Sequence, residues 1–393
     1  MRLLICAGGT GGGVYPALAV LKVLQANENK EWDLDEIPTN SEPGKRVHEV
    51  FWVGGEGGIE VDILSREKIP FTTIPAAGVH GVGLKALPGN LWKVIKGFFS
   101  ARRIIKEFQP QVLFFTGGYL AVPVAAAGRL EWSQKERPRI VVYVPDIEPG
   151  LALKVIARLS DQILLSVEDS MEYFDERSNL VVTGYPTRIS LTLNHRNEAL
   201  EKFKLSPELP TLLVFGGSKG ARSINQALIT FLPDLLPNMQ VIHISGHLDW
   251  SIIENASEEL PGELKTRYHA YPYLHNDMGA ALEASDLVVS RAGASVLGEF
   301  PLYGLPAILI PYPHAWRYQE VNAHYLENRG AALVLQDHEL DVHLYSTITK
   351  LMSDHQMRNE MSQAMSSLAT PLAAESIANI LQGLVSVPSP GRI

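Results

Sequence analysis

The run Leu3-Leu4-Ile5-Cys6-Ala7-Gly8-Gly9-Thr10-Gly11-Gly12-Gly13-Val14-Tyr15-Pro16-Ala17-Leu18-Ala19-Val20 decides the fold class of this chain. A short apolar stretch of strand length enters a glycine cluster, and a longer apolar stretch of helical character leaves it. The pattern returns past the middle as Leu212-Leu213-Val214-Phe215, then Gly216-Gly217-Ser218-Lys219-Gly220-Ala221-Arg222, then Ser223-Ile224-Asn225-Gln226-Ala227-Leu228. Glycine lets the backbone turn tightly and lie against a ligand, while the free amides and positive end of the next helix attract phosphate. Two such turns predict two nucleotide-type domains facing one cleft.

Working outward, strand-like runs alternate with helical ones, as in doubly wound parallel sheets. The first half places strands at residues 3–7, 50–53, 71–75, 112–115, 140–144, 162–166 and 180–183. The second half places them at 211–215, 240–245, 269–273, 287–290, 307–311 and 332–335. Gly184-Tyr185-Pro186 and Pro207-Glu208-Leu209-Pro210 bracket the break between halves. The expected organisation is 1–190, 191–370 and a terminal helix in 371–393 that returns to the first domain. Residues 29–46, polar and with two prolines, read as a surface insertion.

With 393 residues, 46% of them hydrophobic, the chain can bury two cores. A net charge of −9 without long basic runs argues against nucleic acid as a partner. The lone cysteine, Cys6, excludes a disulfide framework and a cysteine-based metal site. The first strand runs directly into the glycine turn and leaves no signal-peptide pattern, so a cytoplasmic location is expected. Residues 112–127 are broken by Gly117-Gly118 and Pro123, short of a spanning helix.

The ordered motifs resemble those of the MurG family of UDP-N-acetylglucosamine transferases. They are the first glycine turn, Gly117-Gly118-Tyr119 with Pro123, Thr183-Gly184 with Pro186 and Arg188, the second glycine turn, Arg291-Ala292-Gly293-Ala294 with Glu299, and Gln319 with Asn322-Ala323. The resemblance runs from Arg2 to about Gln336. It implies a GT-B fold and inverting transfer of N-acetylglucosamine from UDP-N-acetylglucosamine to the undecaprenyl-linked acceptor lipid I, forming lipid II. It also implies no cofactor and no metal for nucleotide binding. By position, Arg188, Leu274 and Met278 would surround uracil, Ser218 would meet the diphosphate, and Glu299 would hold ribose hydroxyls; Lys219, beside Ser218, is expected at the diphosphate from its charge. Gln319 and Asn322 would read the sugar, with Thr10, Gly11, Gly12 and the run Ala294, Ser295, Val296, Leu297 and Gly298 also on the donor. Gly117, Gly118 and Tyr119 would face the acceptor.

The residue types suit those tasks. A carboxylate such as Glu299 can accept from two neighbouring ribose hydroxyls, and a helix start can hold a diphosphate without Mg2+. This chain departs from the family on the acceptor side. Gly13 stands where a histidine is usual, and Tyr143-Val144-Pro145-Asp146 replaces a His-Glu-Gln-Asn segment. Lys219 replaces a glutamine, and the threonine usual before Glu299 is absent. Asp146 is then the expected base or donor and acceptor ligand. Two other functions stay open: a UDP-sugar transferase with a different lipid or polysaccharide acceptor, and a UDP-sugar binding protein without catalysis. A dinucleotide oxidoreductase does not fit, because neither turn has Gly-x-Gly-x-x-Gly spacing.

Residues 91–106 mix Leu91, Trp92, Phe98 and Phe99 with Lys93, Lys96, Arg102, Arg103 and Lys106. That is more apolar bulk than one buried stripe needs, and a polyprenyl substrate calls for a membrane. Trp92, Phe98 and Phe99 are expected to enter the cytoplasmic membrane face, with the basic residues on anionic lipid.

Overall fold

A computed structural model of the chain describes residues 1–8, 11–26, 48–58, 60–78, 87–131, 137–187, 195–217, 220–313 and 317–386. The expected insertion at 29–46 and the candidate residues Thr10, Arg188, Ser218 and Lys219 lie outside the described residues. The chain divides into two compact units, Met1–Thr187 with Leu372–Ile393, and Arg188–Pro371.

In chain order the first unit contains β1 (Arg2–Cys6), α1 (Gly11–Ala26), β2 (Glu49–Gly55), α2 (Glu60–Arg66), β3 (Phe71–Ile74), α3 (Leu87–Phe108), β4 (Val112–Phe115), α4 (Ala121–Arg129), β5 (Arg139–Val144), α5 (Leu151–Ala157), β6 (Gln162–Leu165) and β7 (Leu180–Val182). All pairings are parallel, in the order β3-β2-β1-β4-β5-β6-β7. The interior strands are apolar on both faces, as a sheet covered by helices on each side requires. Leu4, Cys6, Leu113, Phe115, Val142 and Val144 share one core with Ala101 and Ile105 of α3 and Val124 of α4. Burial, reinforced by the charge of Glu60, pushes the Cys6 thiol well above its ordinary pKa, so it packs as a small hydrophobe.

The second unit runs α6 (Arg196–Lys202), β8 (Thr211–Phe215), α7 (Arg222–Leu235), β9 (Gln240–Ile244), α8 (Trp250–Glu259), α9 (Gly262–Lys265), β10 (Tyr268–Tyr271), α10 (Met278–Glu283), β11 (Leu287–Ser290), α11 (Glu299–Tyr303), β12 (Ala307–Leu309), α12 (Tyr318–Glu327), β13 (Ala332–Val334), α13 (Leu340–Ser353) and α14 (His355–Ser366). Its parallel order is β10-β9-β8-β11-β12-β13. The last helix, α15 (Ala373–Ser386), belongs to the first unit, where it packs on α1. Each run read as a strand is a strand, with ends shifted by a residue or two. Among the described residues no helix is long and apolar enough to cross a membrane.

Candidate active site

In each sheet the strand order reverses beside the first strand, between β1 and β4 and between β8 and β11. Ligands of open parallel sheets bind at such points, outside the carboxyl ends of the strands. Both glycine turns sit there.

In the first unit the turns after β1 and β4 lie against each other. Gly117 and Gly118 have φ of +137° and +92°, and a Cβ on Gly118 would come within 2.9 Å of the Gly8 carbonyl oxygen. Only glycine accepts both that conformation and that approach. Gly11 and Gly12 begin α1, and the Thr116 hydroxyl donates to the Gly13 carbonyl at 2.5 Å. Gly13 is buried in the helix without positive φ, and a Cβ there would make an ordinary 3.4 Å contact with the Thr116 carbonyl. The backbone does not demand glycine at position 13. Tyr119 is exposed, and its ring lies over Gly78.

A carboxylate missed by the sequence reading stands behind this turn. Glu60, the first residue of α2, is fully buried and accepts from the Gly55 amide at 2.8 Å. Side chains at Gly8 or Gly58 would run into it, and one at Gly54 would approach it to 3.0 Å. The signal was present in the sequence: an acid directly after Gly54-Gly55-Glu56-Gly57-Gly58-Ile59.

At the end of β5, Tyr143 is fully buried, and its hydroxyl donates to the Gly184 carbonyl at 3.3 Å. Burial, then Tyr185 and Asp146, pushes its phenol well above the ordinary range. It stays protonated and serves as a brace. Asp146, three residues on, is half-buried beyond the strand's carboxyl end.

In the second unit, Gly217 and Gly220 have φ of +86° and +79°, and the Gly220 amide donates to the Gly217 carbonyl at 3.0 Å. Ala294–Leu297 is a 3-10 turn, and Glu299 opens α11 half-buried. The Ala294, Val296 and Leu297 side chains and Gly298 are buried, and Ser295 is half-buried. Leu274 and Met278 are nearly buried after β10.

Two expected sugar readers are differently employed. Asn322 is 0% exposed and donates Nδ2 to the Ala292 carbonyl at 3.1 Å, bracing α12 against the turn after β11. Asn322, expected to read the sugar, is thus buried with its Nδ2 engaged by backbone, which leaves little of it to face a ligand. Gln319 is half-buried, and its Oε1 accepts from the Tyr312 amide at 2.9 Å. The side-chain amide nitrogen remains the end that can donate to a ligand.

Arg291, quoted in the motif before Glu299 without a role of its own, proves to be a structural hub. Its guanidinium pairs with Asp337 at 2.5 Å and donates to Ser223 Oγ at 2.8 Å, and Ser223 in turn donates to Asp337 at 2.8 Å. The triad ties the ends of β11 and β13 to the first turn of α7.

On α3, Leu91, Trp92, Ile95 and Phe99 are exposed, Trp92 by 58% and Phe99 by 63%. Lys93, Lys96, Arg102 and Arg103 are exposed as well, and the Lys96 ammonium lies 5.5 Å from the Trp92 ring centroid. Phe98 departs from the expectation. It turns inward against the sheet core because it shares a helix face with Ala101 and Ile105.

Residues 43–163 match the glycosyltransferase family 28 N-terminal domain, and residues 211–377 match the C-terminal domain of that family. A relative from Roseiflexus sp. (strain RS-1), named UDP-N-acetylglucosamine--N-acetylmuramyl-(pentapeptide) pyrophosphoryl-undecaprenol N-acetylglucosamine transferase, is 38% identical over 98% of this chain and 95% of its own. A relative of the same name from Desulforamulus reducens is 34% identical over 98% and 99%. The crystal structure of Acinetobacter baumannii MurG aligns with a TM-score of 0.72 at 26% identity, covering 97% of this chain and 99% of that one. The UDP-GlcNAc 2-epimerase from Neisseria meningitidis, solved bound to UDP-GlcNAc, shares the fold alone, with a TM-score of 0.62 at 13% identity over 98% and 100%. The two parallel-sheet units are those of a GT-B glycosyltransferase. With both family 28 domains in order and end-to-end likeness to these transferases, the chain belongs to the MurG family.

Proposed function

We infer that this enzyme transfers N-acetylglucosamine from UDP-N-acetylglucosamine to the undecaprenyl-diphosphate-linked N-acetylmuramyl pentapeptide, forming lipid II. The observation that carries the reading is 38% identity across nearly the whole chain to a transferase named for that reaction. The local geometry supports it. A glycine turn feeds the 14-residue helix α7 at the switch point of the second sheet, and Glu299 opens the helix after the neighbouring strand.

In the proposed step an acceptor hydroxyl oxygen attacks the anomeric carbon from the face opposite UDP. The new C–O bond forms as the bond to the β-phosphate oxygen breaks, and that electron pair leaves with UDP. The hydroxyl proton goes to Asp146, the carboxylate beyond the end of β5. The amino-terminal dipole of α7 stabilises the charge that grows on the leaving diphosphate. Ser218 and Lys219 would contact that diphosphate, Glu299 the ribose, Leu274, Met278 and Arg188 the base, and Gln319 the sugar. Thr10, Gly11 and Gly12 would close on the donor, and Gly117, Gly118 and Tyr119 on the acceptor.

We also propose that α3 brings the enzyme to the membrane face where its lipid-linked acceptor resides. The exposed stripe of Leu91, Trp92, Ile95 and Phe99 beside Lys93 and Lys96 supports this. The function is tested by measuring UDP release from UDP-N-acetylglucosamine with and without the lipid-linked muramyl pentapeptide. Release that depends on this acceptor, with the disaccharide product seen by mass spectrometry, is expected. Release that depends instead on a diacylglycerol or polysaccharide acceptor, or binding without release, overturns the assignment.

A further inference from the structure

A buried polar chain runs through the second unit from β10 to the start of α7. The Tyr268 hydroxyl lies 2.7 Å from His243 Nδ1, and His243 Nε2 lies 3.0 Å from Asn225 Oδ1. Asn225 Nδ2 reaches the Ser245 carbonyl at 2.9 Å and Asp249 Oδ2 at 3.0 Å, and Asp249 Oδ1 meets Arg222 Nε at 2.9 Å. His243 and Asn225 are essentially inaccessible, and Tyr268 and Asp249 nearly so.

Chemistry sets the direction of every bond. The Ser245 carbonyl and the Asp249 carboxylate only accept, so the Asn225 amide nitrogen must face them and its oxygen must face His243. An amide oxygen only accepts, so Nε2 of His243 carries the hydrogen. Nδ1 is then the acceptor for the Tyr268 hydroxyl. The result is a single file of donors from Tyr268 through His243 and Asn225 to the Asp249 carboxylate, closed at the surface by Arg222. Burial lowers the His243 pKa to about 3, in keeping with a neutral ring of one tautomer.

The chain ends at the second glycine turn. The Ser245 carbonyl that Asn225 holds is the group against which Gly220 packs, so closely that a Cβ there would overlap it. Arg222 is the first residue of α7, and the backbone N–H of Asn225 donates to the Ala221 carbonyl at 2.9 Å to close the first turn. We propose that Tyr268, His243, Asn225 and Asp249 are positioning residues that hold Gly220, Ala221 and the amino-terminal end of α7 in register for the donor diphosphate. The proposal rests on the donor-site reading above.

The test compares UDP with uridine, which lacks the diphosphate, by calorimetry on the full-length chain. Asn225→Ala is expected to weaken UDP about tenfold or more while leaving uridine within about twofold. Asp249→Asn, which keeps the volume but puts an amide against Arg222 and Asn225, is expected to lower the same affinity ratio. If both variants lose the two ligands in equal measure, or lose neither, the positioning role is overturned. Should Asn225→Ala fail to fold, Asp249→Asn decides. Independently, imidazole 15N spectra of the parent, with His243 assigned through a His243→Gln variant, are expected to show Nε2–H and a bare Nδ1. A hydrogen on Nδ1 overturns the direction of the chain. A parent that binds UDP no better than uridine sinks the donor-site reading, whereas the tautomer still reports on the network.

Discussion

Arg291 and Asp337 meet at 2.5 Å although they lie on opposite sides of β12 and α12 in the chain, and Ser223 of α7 is bonded to both. The Arg291 side chain is 10% exposed and that of Asp337 24%. Removing one partner therefore strands a largely desolvated charge. Asp337→Ala is expected to destabilise the protein by about 2 kcal/mol, below the ~3–5 kcal/mol of fully buried pairs because Asp337 is partly solvated. Chemical denaturation should show it, and a loss under about 0.5 kcal/mol would mean that the pair is surface-like.

Asp146 is the half-buried carboxylate beyond the end of β5. Asp146→Asn keeps shape and removes the proton acceptor, so turnover should fall by about 10²-fold or more. UDP affinity should stay within about twofold, because in the proposed step the lost group acts on the acceptor proton and not on UDP. Unchanged turnover on the muramyl acceptor would remove Asp146 from the mechanism.

Gly13 lies in α1 without positive φ, and a methyl group there meets the Thr116 carbonyl oxygen at 3.4 Å and the Gly8 carbonyl oxygen at 3.8 Å. Glycine costs a helix interior roughly 0.5–1 kcal/mol relative to alanine. Gly13→Ala should therefore leave stability unchanged or raise it by up to about 1 kcal/mol. A lower melting temperature would show that the Thr116 contact cannot relax.

His243 ionises at about 3 when folded, against an ordinary value of 6.5, because burial disfavours its cation. Between those values the unfolded chain binds a proton that the folded chain does not. Its contribution is fully present above pH 6.5 and is lost as the pH falls toward 3, by up to about 1.4 kcal/mol per pH unit. In denaturation series from pH 7 to pH 4, His243→Gln should be less stable at pH 7 but lack about one proton's worth of the parent's slope. Parallel curves would place a charged, solvated ring at this position.

Trp92 and Phe99 project from α3, whereas Phe98 packs inward. Trp92→Ala with Phe99→Ala should abolish flotation with anionic vesicles and leave UDP binding intact. Lys93→Glu with Lys96→Glu should weaken flotation by about 1 kcal/mol or more per residue, most at low salt. Phe98→Ala should instead cost stability, about 2 kcal/mol, below the range of core rings because Phe98 is partly buried. A double variant that still floats like the parent would move the membrane contact elsewhere.

What the amino-acid sequence determined alone was the order of strands and helices and the two glycine turns. Both are local in origin: apolar runs of strand length need a covered sheet, and glycine at a tight turn reports its own backbone. Tertiary structure decided the side-chain assignments. Asn322 and Gln319 sit on one helix with nothing local to tell them apart, yet long-range packing buries the first under the Ala292 carbonyl and leaves the second half-open. Phe98 and Phe99 are neighbours in sequence with opposite environments, because a helix turns each residue about 100° from the last. The Arg291–Asp337 pair and the chain from Tyr268 to Arg222 join groups brought together only by the second sheet. Their meaning comes from burial, which makes an unpaired polar group costly and so forces each donor onto a specific acceptor.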